Sequence, residues 1–279
     1  MPMIVHLVDG TYELFRHFYG LRRFTKTDRP LGAVIGVLQS VLEMIEQGAT
    51  HVGVATDHVI ESFRNELWPD YKTGEGIDPV LWAQFLPLED ALKAMGVATW
   101  PMVELEADDG LASAAHLADG DSRVEKVCIW ANDKDLAQCV RGDRVVQIIR
   151  KGMVIRNAEA VRAKFGVPPE LIPDYLALVG DAQDGYPGIR GIGPTSAAAL
   201  LNRHGPIESF PDSVLGAERD NALLFKTLAT LRTDAPLFAD VDEIEWRGPT
   251  PAFAEWPERM ADTRIQARVD KAVAARIAT

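Results

Sequence analysis

The chain has 279 residues, of which 47% are hydrophobic and 25% charged, and a formal net charge of −12. This composition excludes a disordered or low-complexity chain and suits one large domain, or a medium domain with a smaller one attached. No apolar stretch approaches the roughly 20 residues that span a bilayer, and the opening MPMIVHLVDG lacks the basic start of a signal peptide, so a cytoplasmic protein with no membrane partner is expected.

In chain order, short apolar runs alternate with helical patterns, the signature of a mostly parallel sheet covered by helices. Strands are predicted at 3–8, 52–55, 98–100, 127–131 and 145–149. Between them 31–47 reads as a helix, with Val34, Leu38, Val41, Leu42 and Ile45 on one face and Gly48 as its stop. Residues 81–95 and 107–117 read the same way. Near Gly166 the texture becomes Pro- and Gly-punctuated: VPPELIPDYLALVG is predicted as one helix and PTSAAALLNRHG as another, joined by the tight segment DAQDGYPGIRGIG. A further helix is expected over 218–231, little periodicity over 236–257, and a final amphipathic helix over 258–278 carrying Arg259, Arg264, Arg268, Lys271 and Arg276. Cys128 and Cys139 lack C-x-x-C spacing and read as buried thiols, not as a disulfide or a zinc site.

In open parallel sheets, sites form beyond the carboxyl ends of the strands. Asp9 follows the first strand, Asp57 the second, and Asp133 the run VCIWAN, so all three leave the sheet at one edge. Glu106, Asp108 and Asp109 open a helix, with Glu106 and Asp109 one turn apart. Taken singly, each acid has an ordinary reading as a helix cap, a dipole partner or a solvated turn. Four separate segments delivering acid to one edge point instead to chemistry. Water breaks a phosphodiester when two divalent ions about 4 Å apart stabilise the attacking and leaving oxygens. Magnesium prefers oxygen ligands and keeps several waters, so two such sites want a surplus of carboxylates. An acidic balance argues against a partner held by its phosphates, but nine of the acids fall in these motifs, where metal ions would offset them.

The strings LVDGTYELFR, ESFRNELWPDYK, ELEADDGLA, ANDKDLAQCV and LIPDYLALVGDAQDGYPGIRGIGPTSAAALL occur in this order. Together they resemble the five sequence blocks of the 5′ nuclease family, which includes the 5′ exonuclease domain of bacterial DNA polymerase I and the flap endonucleases. The resemblance covers residues 3 to 240. It implies an α/β fold, a PIN-like mostly parallel sheet flanked by helices, with a helix-three-turn-helix module. The division implied is 1–165 for the nuclease domain, 166–240 for the module and 241–279 for a C-terminal return segment.

The resemblance also implies roles. Asp9, Asp57, Glu106, Asp108, Asp109, Asp133, Asp135, Asp181 and Asp184 match the family's metal-holding acids, for two magnesium or manganese ions. Lys72, in WPDYK, matches a lysine that reaches into the active site from the base of a helical arch. Lys72, Asp109 and Asp133 are therefore expected to bear most directly on catalysis. In YPGIRGIGPTSAA, Gly188, Gly191 and Gly193 let backbone N–H groups approach a phosphate at a helix start, with Thr195 beside them and, in relatives, a potassium ion bridging to DNA. Such contacts read backbone, not bases. Arg16, Arg22, Arg23, Lys26, Arg29, Arg64 and Lys72 lie near the expected DNA path; Arg16, Arg64 and Lys72 are the basic contacts expected, the others reading as ordinary solvated charges.

Three departures stand out. After Tyr71 and Lys72 comes TGEGIDPVLWAQ, with Glu75 and no basic residue before Lys93, where relatives continue with a basic arch. Thr195 stands where a phosphate-binding lysine is common, and Gly185 replaces a usual asparagine. Weaker DNA affinity is the expectation, with cleavage retained because all nine acids remain. With no polymerase domain in the sequence, an enzyme acting alone on 5′ flaps, nicks or overhangs in replication or repair is expected. The alternatives are a structure-specific DNA-binding protein without turnover and a PIN-like RNA nuclease, against which the helical module speaks. No G-x-x-x-x-G-K-[ST] loop calls for a nucleotide cofactor, and no strand precedes the Gly-rich turn as a dinucleotide fold requires.

Overall fold

The computed structural model describes residues 2–23 and 30–277. Lys26 and Arg29, named above, and Ala278, at the end of the last predicted helix, lie outside the described residues. A six-stranded sheet forms the centre, with β1 (Met3–Asp9), β2 (His51–Asp57), β3 (Ala98–Met102), β4 (Val124–Trp130), β5 (Val145–Ile149) and β6 (Val154–Arg156) in the order β3-β2-β1-β4-β5-β6. All neighbouring pairs are parallel except β5 with β6. Every predicted strand is present. β6 escapes the sequence reading because it is only three residues long, with Val154 and Ile155 exposed, so no burial pattern marks it.

The strands read as continuous apolar runs because both faces are covered. On one face Val8, Val52 and Val54 pack with Val34, Leu38, Val41 and Leu42 of the helix Gly32–Glu46 and with Leu88 and Leu92 of the helix Phe85–Ala94. On the other, Val5, Leu7, Val127 and Ile129 meet the alanine-rich helix Ala107–Gly120, whose small side chains let it lie close to the sheet. A separate cluster, including Leu176, Leu178, Tyr186, Leu201 and Phe225, forms the core of the helical region after Gly166.

Prolines account for most of the differences in the helices. The predicted helix 81–95 is broken into Pro79–Trp82 and Phe85–Ala94. An unbroken helix would set the ring of Pro87 against the carbonyl of Ala83 and lose a hydrogen bond there. The break leaves Gln84 to accept from Ala33 N–H at 3.0 Å. Likewise 167–180 divides into a 3₁₀ turn, Pro169–Leu171, and the helix Ile172–Val179, which has Pro173 in its first turn. The helices Gly10–Arg22 and Ala158–Phe165 are additional to those predicted. The last helix begins at Arg264, after the separate turn Trp256–Arg259 and a left-handed residue at Ala261.

The aperiodic stretch after Pro236 is anchored by single large side chains. Trp246 is 1% exposed; its Nε1–H donates to Met95 O at 2.8 Å and its backbone N–H to Thr50 O at 2.8 Å. It packs in the same cluster as Phe253, Trp256, Ile265 and Val269, so the C-terminal segment completes the core beneath Gly32–Glu46. Trp246→Ala is expected to lower unfolding free energy by about 3–5 kcal/mol in urea titrations, through the cavity and the stranded Met95 carbonyl; a loss below about 1 kcal/mol would show that this segment does not hold the core.

Candidate metal centre

Local structure explains why the acids meet. Asp9 ends β1 and caps the helix Gly10–Arg22, accepting from Tyr12 N–H at 2.8 Å. One strand over, Asp57 ends β2 and accepts from Ala107 N–H at 2.8 Å, while its own N–H donates to Thr11 Oγ1 at 2.8 Å. Beyond β4, Asp133 accepts from Asp135 N–H at 2.9 Å. This loop is gripped from β5 by Gln147, whose Nε2 donates to the carbonyls of Ala131 and Asp133 and whose Oε1 accepts from Arg156 Nη1. Asp181 accepts from Gln183 N–H at 3.0 Å and is bridged to Tyr186 by two backbone hydrogen bonds. At Gly185 the turn has φ +85°, and a Cβ would stand 2.0 Å from Asp70 O. This left-handed turn, pressed against the 68–72 segment, leaves no room for a side chain at 185.

Asp9, Asp57, Asp108 and Asp133 line one cavity of about 480 Å³, together with Thr11, Tyr12, Phe15, Lys72, Lys134 and Lys164. Beside it, carboxylate oxygens of Asp135, Asp181 and Asp184 lie within 4.8 Å of one another. Two ammonium groups reach into this set. Lys72 Nζ sits 2.6 Å from Glu106 and 3.1 Å from Asp184, and Lys134 Nζ sits 2.8 Å from Asp181.

The electrostatics are those of a crowded, desolvated cluster. Burial, then the charges of Asp57, Asp133 and Glu13, push Asp9 up to about 8 against the pull of the Tyr12 N–H. Burial raises Asp184 to about 6, with Lys72 opposing and Asp181 and Asp133 adding. Asp108 and Asp135 are driven well above the usual carboxylate range, first by burial and then by Asp133. Asp57 is raised by burial despite Lys72. Burial works against ionised Glu106 too, yet Lys72 and Arg64 hold it below its ordinary value.

The donor set fits a hard divalent cation. Among the described residues, four buried side-chain atoms lack a hydrogen-bond partner, and three of them are here: Asp108 Oδ1, Asp135 Oδ1 and Tyr186 Oη. Orphaned oxygens beside repelling carboxylates suit ions that bind oxygen and carry their own water.

Four expected site residues, Asp109, Arg64, Glu106 and Arg16, do not line the cavity. Asp109 is fully buried, and both its oxygens are taken: Arg64 Nη1 and Nη2 at 2.7 and 2.8 Å, Glu106 N–H at 2.9 Å and Arg232 N–H at 2.9 Å. An acid three residues after a helix cap folds back on that cap, which turns Asp109 from the pocket. Its partner Arg64 is 1% exposed and also donates to Leu228 O and Thr230 O, leaving no face for a DNA phosphate. Glu106 is likewise occupied, accepting from Ser62, Arg64 and Lys72. Arg16 is tied to buried Glu13 at 2.6 Å.

In the glycine-rich turn, Gly188 (φ +71°) packs where a Cβ would meet Gly180 N at 2.3 Å. Gly191 and Gly193 face open space, and Thr195 is exposed in the first turn of the helix Pro194–His204. The sequence reading overlooked Lys134, Lys164, Gln147 and Tyr186. Lys134 carries a local signal, a cation set between two acids; Lys164 and Gln147 come from distant segments, and Tyr186, though two residues after Asp184, carries no signal as a lone tyrosine.

The family described as "5'-3' exonuclease, N-terminal resolvase-like domain" matches residues 4–166, and that described as "5'-3' exonuclease, C-terminal SAM fold" matches 167–252. DNA polymerase I of Bacillus subtilis is 32% identical over 260 residues, covering 87% of this chain and 29% of that protein, so the chain spans under a third of this relative's length. Among solved structures, the T5 D15 protein co-crystallised with metal ions superposes with a TM-score of 0.68 at 17% identity, covering 98% of this chain and 97% of that one. A complex of the D15 flap endonuclease with DNA and metal ions gives 0.67 at 16% identity over the same shares. Flap endonuclease-1 from Methanococcus jannaschii gives 0.65 at 16% identity, covering 99% and 94%. These structural likenesses bear on the fold, which is the helix-flanked, mostly parallel sheet with a helical module expected from the sequence. Since the two sequence matches run on from residue 4 to residue 252, the chain belongs to the 5′-3′ exonuclease family.

Proposed function

We propose that the chain hydrolyses phosphodiester bonds at or near the 5′ ends of structured DNA, as a metal-dependent 5′-3′ exonuclease and flap endonuclease. The observation that carries this reading is the single cluster of Asp9, Asp57, Asp108, Asp133, Asp135, Asp181 and Asp184, with orphaned buried oxygens and raised pKa values. Magnesium or manganese is the cofactor of this reading, and the seven acids suffice for two ions. Asp9, Asp57, Asp108 and Asp133 would hold one, and Asp135, Asp181 and Asp184 the other. Bound there, the ions lower the pKa of water and offset charge on the scissile phosphate.

The chain's own residues do the rest. Lys72 sets an ammonium at the cavity wall, where it offsets charge developing on the phosphate. Gln147 fixes the loop bearing Asp133 and Asp135. Glu106 holds Lys72, and Asp109 with Arg64 anchors the helix start that presents Asp108. In this reading residues 1–165 form the catalytic unit, 166–240 the DNA-binding module and 241–279 the return segment. Gly188, Gly191, Gly193 and Thr195 would then meet the phosphate backbone, with a potassium ion at that turn. Among the described residues no helix is long and apolar enough to cross a membrane; a cytoplasmic enzyme that meets DNA directly belongs to the proposal.

A 5′-flap duplex tests this. In magnesium the parent is expected to release flap product, and Asp133→Asn to slow single-turnover cleavage by roughly 10²- to 10³-fold while remaining folded by circular dichroism. Tight binding without product would favour a DNA-binding protein, and preference for an RNA flap would favour an RNA nuclease.

Metal-free stability supplies a second check. Carboxylates whose folded pKa is raised bind protons more tightly folded than unfolded, so their contribution is lost as pH climbs through the folded value. His6 and His17, lowered to about 4 by burial, act oppositely, but only below their unfolded value near 6.5. Between pH 6.5 and 8.5 the acids, Asp9 at about 8 among them, dominate. The melting temperature without metal is therefore expected to fall across that window, and saturating magnesium to raise it most at pH 8.5. A flat or rising metal-free profile would contradict the crowded cluster.

A further inference from the structure

Residues 73–92, directly after Lys72, contain no lysine or arginine but include Glu75, Asp78, Glu89 and Asp90. A phosphate backbone finds no cation on this segment to hold it. What the surface offers instead is apolar. Trp82 is 43% exposed, Leu86 53%, and Tyr19, across from them on the helix Gly10–Arg22, 47%.

These side chains are not scattered. Trp82 lies 5.1 Å from Phe85, Phe85 6.0 Å from Phe15, and Phe15 6.3 Å from Tyr19, centroid to centroid. Phe15 itself lines the acid cavity beside Asp9 and Tyr12. Toward Lys72 the edge of the Trp82 ring approaches Gly74, two residues after Lys72, where a Cβ would stand 3.3 Å from Cζ3. One connected row of rings therefore leads from the cavity wall to open surface. Isolated exposed apolar residues need no explanation, but a connected set continuous with a functional pocket does. At this border Arg22 stacks over Phe18 at 4.2 Å and pairs with Asp78 at 2.6 Å.

We propose that Trp82 and Tyr19 form a stacking platform for the unpaired bases of a 5′ single strand leading to the acid cavity. This deepens the nuclease reading and rests on it. Every base presents a π-face, so stacking on exposed rings holds a strand whatever its sequence. Along 73–92, where the sequence supplies no lysine or arginine, it gives single-stranded DNA an attraction that needs no cation on that segment.

A cycle between protein and substrate tests the platform. Affinity for a duplex with a 5′ oligothymidine flap, and for the same duplex with an abasic flap, is measured by fluorescence anisotropy in calcium for the parent, Trp82→Ala, Trp82→Phe and Tyr19→Ala. The parent is expected to bind the base-bearing flap about tenfold tighter than the abasic one. Trp82→Ala should bring that ratio close to unity, Tyr19→Ala should reduce it, and Trp82→Phe should restore most of it. A folding defect would weaken both substrates alike and leave the ratio unchanged, so it cannot mimic the result. The proposal is overturned if the parent binds both flaps equally or if Trp82→Ala keeps the parent's ratio. It is overturned too if Trp82→Ala acts only by dissociating a self-associated form in sedimentation. The expected ratios together with no cleavage of either flap in magnesium would sink the nuclease reading and leave the platform standing.

Discussion

Carboxylates forced together out of water repel one another, and much of this structure can be understood as the means of keeping them in place. Asp9, Asp57, Asp133 and Asp181 are each pinned by a backbone N–H, and Lys72 and Lys134 supply positive charge at the rim. These restraints do not neutralise the cluster: Asp9, Asp108, Asp135 and Asp184 all keep raised pKa values. The sheet core and the C-terminal segment must stabilise the fold against that strain, the usual relation between a functional site and its scaffold.

The join between the acid cavity and the helical region is equally electrostatic. Arg64 lies buried between them, gripping Asp109 bidentately on one side and the carbonyls of Leu228 and Thr230 on the other. Paired in this way, a buried guanidinium is satisfied; removing one partner of such a pair generally costs about 3–5 kcal/mol because the other is stranded. The same guanidinium donates to Glu106, which in turn holds Lys72. A chain of contacts thus runs from the end of the helix Arg219–Ala229 to the ammonium at the cavity wall.

The sheet and the convergence of the acids were legible because each rests on local pattern: an apolar run ending in Asp9 or Asp57 names both the strand and the edge it leaves. Direction of side chains was not legible. Glu106, Asp108 and Asp109 look alike in sequence, yet a helix start turns Asp108 toward the cavity and folds Asp109 back onto its own cap. Arg64 read as a DNA contact because burial of an arginine depends on partners 42 to 166 residues away. Tyr186 and Gln147 offered no signal, since a lone tyrosine or glutamine gains meaning only from what surrounds it. The missing arch cations were plain in the sequence, whereas the row of rings in their place emerged only when Phe15, Tyr19, Trp82 and Phe85 were brought together from two segments.

The central claim is that carboxylates crowded together, their pKa values raised by burial and mutual repulsion, take up divalent cations at this one site. Calorimetric titration of manganese into the protein at pH 7.5, repeated in buffers of different ionisation enthalpy, measures both the number of ions bound and the protons released. The account predicts saturable binding of two ions accompanied by net proton release, with both diminished in Asp135→Asn. Binding without any proton release, or no saturable binding, would contradict it.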